Sequence, residues 1–182
     1  MRTYISILRG INVSGKNIIK MDALKKLFED LNSQYVTTYV QSGNVVFSFK
    51  PTDIKELEKL ISTQIEKQFG FKIPVIVLTM DELKDSIENN PFKNSKDEKH
   101  LHFTFLAERP INYNKEKIDN KKAENEEIEI SERVVYLYCP NGYGKTKLTN
   151  TFLEKTLKVT STTRNFRTTN ELLKIAEQIQ NL

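Results

Sequence analysis

The sequence predicts an α+β protein built from two ferredoxin-like halves, each a β-α-β-β-α-β unit with an antiparallel-type sheet and helices packed on one face. Three observations predict it. Strand-like alternation and helix-like spacing of apolar residues follow one another in that order twice along the chain. A polar run, Asn90 to Asp97, separates the two rounds. An extra amphipathic stretch closes the chain. The halves fall at residues 1–90, with a trailing helix, and 98–182, with the closing helix; 182 residues suffice for two small cores.

The elements follow from local pattern. Thr3 to Arg9 alternates as a strand and ends in a glycine-bearing loop, Gly10 to Asn17. Met21, Leu24, Leu27, Phe28 and Leu31 then recur at helical spacing. Tyr35 to Gln41 and Asn44 to Phe49 read as strands joined through Ser42-Gly43. Asp53 opens a long helix carrying Ile54, Leu57, Ile61 and Ile65, and Gly70 stops it. Pro74 to Leu78 is a continuous apolar strand of the kind buried on both faces. Thr79 to Glu82 has capping-box spacing before a short helix ending near Asn89. The second round runs through a strand at Leu101–Leu106 and a short helix near Lys115 to Asn120. A hairpin of Glu129-Ile130 with Val134 to Tyr138 follows, then a helix holding Leu148, Phe152, Leu153 and Leu157. Ser161 to Arg164 is extended, and Thr168 is positioned to cap a last helix with Leu172, Leu173, Ala176 and Ile179 inward.

Composition narrows the class. No run of eighteen apolar residues exists, so a spanning helix is not expected, nor is a membrane partner. The N-terminus starts directly in a strand and lacks a signal-peptide pattern, which makes the cytoplasm the expected address. A single cysteine, Cys139, allows no internal disulfide or zinc finger and reads as structural. Charge is uneven: 11 basic and 7 acidic residues over 1–80, 9 and 14 over 81–132, 8 and 3 over 133–182. The ends of the chain are therefore the parts suited to an anion.

Four polar loops hold the candidate site residues. The first, with Arg9, Asn12, Gly15, Lys16 and Asn17, falls one residue short of a P-loop. Asn17 replaces the Mg²⁺-binding hydroxyl, the helix starts late at Met21, and the parallel α/β setting is missing, so nucleotide hydrolysis is not expected. A looser anion site is compatible with these residues, and so is a solvated turn. The second, Gln41, Ser42, Gly43 and Asn44, is required by a tight turn and also offers hydrogen-bonding side chains; no nucleophile elbow surrounds Ser42. The third carries Lys145 and Lys147 ahead of a helix, where lysines oppose the dipole unless an anion is present. The fourth, with Arg164, Asn165 and Arg167 around Phe166, suits phosphate or carboxylate, or else anchors the last helix through the ring. His100 and His102 form an H-x-H pair with no third ligand fixed nearby; no metal and no cofactor is expected.

At these loops the chain resembles the bacterial family known as domain of unknown function 1697. The matching pieces are Leu8 to Asn17 with Met21 and Leu24, Tyr39 to Val45, Pro140 to Leu148, and Thr163 to Thr168. It departs from the family pattern at Ser14 (usually glycine), Thr146 (serine) and Phe166 (tryptophan). The resemblance implies a ferredoxin-like α+β architecture and carries no established activity. Three function classes stay open: a binding module for a phosphate-bearing small molecule or nucleic acid, an enzyme whose site joins loops of both halves, and an interaction scaffold. No base or nucleophile is identifiable for the second, and oligomeric state is not legible.

Overall fold

The computed structural model describes residues 1–182. Its first round begins with β1 (Arg2–Leu8), whose residues are buried from Thr3 to Leu8. It continues through α1 (Met21–Asp30), β2 (Gln34–Tyr39), β3 (Asn44–Phe49), α2 (Ile54–Phe69) and β4 (Val75–Thr79). These strands form an antiparallel sheet in the order β2-β3-β1-β4. The second round repeats it: β5 (Leu101–Leu106), α4 (Lys115–Asp119), β6 (Glu127–Ser131), β7 (Val134–Tyr138), α5 (Asn150–Leu157) and β8 (Ser161–Asn165), with sheet order β6-β7-β5-β8. Between the rounds lies α3 (Met80–Glu88), and α6 (Phe166–Gln180) closes the chain. The predicted α+β class and doubled split β-α-β order are thus both present.

By backbone packing the chain forms two compact units, residues 1–85 with 171–182, and residues 86–170. In the first, Tyr4, Leu8, Val45, Phe47 and Val77 pack against Leu24, Leu27 and Phe28 of α1 and Leu57, Ile61 and Ile65 of α2. Burial of such side chains contributes about 1.5–3 kcal/mol each. On the other face of the sheet Thr3 donates 2.9 Å to Gln180 Oε1, which places the last turn of α6 there. In the second unit Leu106, Val135 and Leu137 pack against Ile118 of α4 and Leu153 and Leu157 of α5.

The helix signals act as their chemistry predicts. Asp53 accepts from the Lys55 and Glu56 amides, and Gly70 ends α2 in the left-handed region at φ 79°. Thr79 and Glu82 form the reciprocal capping box, at 2.9 and 3.1 Å. Two expectations are corrected. The last helix starts at Phe166, and Asn165 rather than Thr168 is its cap, with Asn165 Oδ1 accepting from the Thr168 amide at 2.8 Å. The reason is that β8 runs straight into the helix and leaves no turn in which Thr168 would be non-helical. Leu148 precedes α5, which Thr149 caps, although Leu148 is buried all the same.

One detail repeats at residue level. β4 and β8 are edge strands. In each half the fifth residue of the preceding helix is a glutamate whose carboxylate accepts an amide of that strand. Glu58 takes Val77 N–H at 3.0 Å, and Glu154 takes Ser161 N–H at 2.8 Å. An edge amide satisfied by a side chain is unavailable for pairing with another strand.

Candidate functional site

The first-half candidates come together at one end of the first sheet. β1 leaves the sheet there, the β2–β3 turn lies beside it because Ile7 pairs with Asn44, and the α2–β4 connection arrives where Leu8 pairs with Val75. The loop after β1 is held in an unusual backbone. Gly10, Asn12, Ser14, Gly15 and Asn17 all have positive φ, between 49° and 72°. Outside glycine that conformation costs about 1–2 kcal/mol per residue, so the loop must be held by its contacts. Asn12 is the hub: its Nδ2 donates to both Ile19 O and Gln41 O at 2.9 Å, and its Oδ1 accepts from Ile19 N–H at 2.9 Å. Asn17 Nδ2 donates to Gly10 O at 2.9 Å, closing the loop on itself.

Gly43 admits the neighbouring turn to this arrangement. A Cβ there would stand 2.7 Å from Leu8 Cβ and 2.8 Å from Ile11 Cδ1, and its φ is 79°. Asn44 is fully buried and donates to Tyr39 O and Ser42 Oγ at 3.0 Å. Asn12, Asn17 and Asn44 therefore build the loops, while Gly15, Lys16, Gln41 and Ser42 stand on the surface and Arg9 is half-buried.

The three connections at this end are residues 9–20, 40–43 and 70–74. They carry Arg9, Lys16, Lys20 and Lys72 and not one aspartate or glutamate. The nearest acids in sequence are Asp22 and Glu66, inside α1 and α2. The N-terminus of α1 also faces this end, and Lys20 at its N-cap makes no side-chain cap. Lys20 and Lys72 were not among the sequence candidates. Only the strand order brings Lys72 beside Arg9, whose amide donates to Pro74 O at 3.1 Å. The equivalent end of the second sheet differs. Its connections, residues 107–114, 132–133 and 158–160, include Glu108 and Glu132, and Arg109 is paired with Glu132 at 3.4 Å.

Second-half candidates gather at the opposite end of their own sheet, where Leu101 pairs with Tyr138 and His102 with Asn165. Here the loop folds inward. Tyr143 lies between Gly142 and Gly144, stacks on His102 with ring centres 4.8 Å apart, and donates to Thr163 Oγ1 at 3.1 Å. Thr163 donates to Asn150 Oδ1 at 2.8 Å, as Ser161 does at 3.1 Å, and Thr104 meets Thr163 at 2.7 Å. Lys145, Lys147 and Arg167 are exposed. Arg164 donates to Thr162 Oγ1 and Thr163 O, and burial lowers its pKa to about 10. Asn165 is engaged as a helix cap, and Phe166 stacks on Phe103 at 6.2 Å.

His100 and His102 do not act as a pair. His100 sits in a 3₁₀ turn with its ring edge-on to Tyr138, whereas His102 Nδ1 lies 3.2 Å from His100 O. Burial holds the His102 pKa below the ordinary imidazole value. Cys139 is buried, and desolvation pushes its thiol up to about 12, which leaves it protonated and inert. No helix is long and apolar enough to cross a membrane.

A family model described as protein of unknown function (DUF1697) matches residues 1–136. The match takes in the first two loops and stops before the third and fourth. Among solved structures, the conserved bacterial protein SP0830 from Streptococcus pneumoniae is similar at 21% identity and a TM-score of 0.73, over 96% of this chain and 98% of that one. That likeness concerns the fold. No curated protein matches the chain.

Proposed function

The chain belongs to the DUF1697 family of proteins of unknown function, and we propose that it is a binding module for a phosphate-bearing ligand, a nucleotide or nucleic acid, held at the end of its first sheet whose connections carry no carboxylate. One observation carries the reading: Arg9, Lys16, Lys20 and Lys72 share an end whose three connections contain no acid. The three lysines repel one another in the free protein, no acid lies in the connections that carry them, and a bound anion relieves that repulsion.

The backbone supports the same reading. Ser14 and Gly15, both at positive φ, form a tight turn closed by Lys16 N–H on Val13 O, and turn amides left unbonded within the chain can donate to an anion. The Ser14 and Gly15 amides hydrogen-bond to nothing else in the chain, and Lys16 follows them directly. Asn12 fixes this geometry before any ligand arrives, which lowers the ordering cost of binding. The three connections hold no histidine, cysteine or carboxylate, so they offer no ordinary acid–base group and suit binding rather than turnover.

Thermal unfolding with added phosphate compounds tests this. A ligand at a hundred times its dissociation constant stabilises the fold by about 2.7 kcal/mol. Pyrophosphate, ATP or a short oligonucleotide is expected to raise the melting temperature. Lys16→Ala with Lys20→Ala is expected to keep or slightly raise the unliganded melting temperature and lose the increase. No shift with any of the three compounds refutes the reading.

A further inference from the structure

We infer that the phosphate at this end belongs to a nucleic-acid backbone, contacted without base-specific readout, rather than to a free nucleotide. This rests on the anion reading above and narrows its ligand. The first reason is breadth. Lys72 lies on the connection entering the β4 edge, while Asn12 ties the Lys16 loop to the turn between β2 and β3. Four strands at about 4.8 Å spacing make that end roughly 14 Å wide. A single phosphate cannot meet cations distributed over such a width, but a row of phosphates can.

The second reason is shape. Gly10, Ser14, Gly15, Lys16, Gln41 and Ser42 are all exposed, so the loops form a ridge. A nucleotide site is a cleft that covers most of its ligand. The first unit does have a cavity of about 690 Å³, but it is lined by Leu31, Phe49, Lys50 and Leu60 with Asp30 and Glu56. It lies at the opposite end of the sheet and carries carboxylates, which disfavour a phosphate.

The third reason is the kind of side chain on the ridge. Hydroxyls, amides, lysines and unengaged backbone N–H groups are what phosphate and sugar contacts use. Base readout from single strands relies on aromatic stacking, and the three connections hold just one aromatic, Phe71, which packs against the core. Val13 and Ile18 are 58% exposed and Val40 is 49% exposed. Each is one residue along the chain from a member of the Asn12 hub, Asn12, Ile19 or Gln41. They supply apolar contact to sugars. They lack the tryptophan, tyrosine and leucine anchors of a membrane-seeking surface.

The test is fluorescence polarisation of the full chain with labelled 20-nucleotide single strands and 20-base-pair duplexes of two unrelated sequences, at several salt concentrations. The inference predicts equal binding of both sequences. Three phosphate contacts, from Lys16, Lys20 and Lys72, give a slope of log affinity against log salt of roughly −2 for single strands and −3 for duplexes. Lys16→Ala or Lys72→Ala, each exposed and folded by circular dichroism, should reduce the slope by about one, whereas Lys145→Ala with Lys147→Ala should leave it unchanged. Four results overturn the inference: strong preference for one sequence; displacement by ATP at concentrations matching the oligonucleotide's phosphates; binding lost only in the second-half variant; or binding of phosphatidylglycerol vesicles without oligonucleotide binding. If ATP alone binds, the anion reading stands and the polymer reading falls. If no phosphate compound binds, both fall.

Discussion

The two halves share a strand order and a pair of edge-guarding glutamates, yet they place a glycine-lysine loop in different positions. In the first half the loop follows the first strand of the unit; in the second it follows the third, at the opposite end of the equivalent sheet. The two are built by different means. The first is fixed by side-chain amides bonded to backbone carbonyls, which leaves Lys16 and its neighbours facing outward. The second turns Tyr143 inward onto His102 and Thr163, which ties the centre of that loop to the sheet while Lys145 and Lys147 stay exposed. Similar residues therefore serve different ends, a surface in one half and internal structure in the other.

The largest expected effect separates two glycines with nearly equal φ. Gly43→Ala adds a methyl against Leu8 and Ile11 in the left-handed region. It should cost about 2–4 kcal/mol, combining overpacking with backbone strain. Gly15→Ala meets no atom within 4 Å, so only about 1–2 kcal/mol of backbone strain is expected. Denaturant melts of both variants check the difference, and equal losses would mean that the close approach at Gly43 is not what holds the two loops together.

Next come the glutamates. Removing either carboxylate leaves an edge amide without its acceptor, so Glu58→Ala and Glu154→Ala should each destabilise the protein by about 1–3 kcal/mol. Glu58 is 8% exposed and belongs at the upper end. Loss from one and not the other would break the structural equivalence of the halves at this position.

The smallest effect is pH-dependent and confined to the second half. Burial lowers the His102 pKa, with the backbone bond to His100 opposing it and the His100 charge adding to it. A histidine depressed in the folded state binds its proton more readily when unfolded. Its contribution is therefore complete above the unfolded value, about 6.5, and is lost as pH falls from there through the folded value. Melting temperature should decline more between pH 7 and 5 for the native chain than for His102→Gln. Parallel profiles would contradict the burial of His102 against Tyr143.

Much of the fold was legible because local chemistry sets it. Asp53, Gly70 and the Thr79–Glu82 pair mark helix ends using neighbours a few residues away. The errors occurred where an end depends on what precedes it, as where β8 passes directly into α6 and makes Asn165 the cap. The candidate site was half legible. Glycines and lysines announce exposed loops, but the partners of Asn12 and Asn44 are carbonyls that only the tertiary turn supplies. Likewise no local pattern marks a set of connections free of carboxylates. It is a property of three connections that begin about thirty residues apart and are joined by strand order.

The most direct measurement is amide NMR of the ¹⁵N-labelled chain titrated with a 12-nucleotide single strand at low salt. The account predicts shift changes concentrated at Ser14, Gly15, Lys16, Gln41, Ser42 and Lys72, with Gly142 to Lys147 and Arg164 to Arg167 unmoved. Changes confined to the second-half loops, or spread without regard to the first sheet's end, would contradict it.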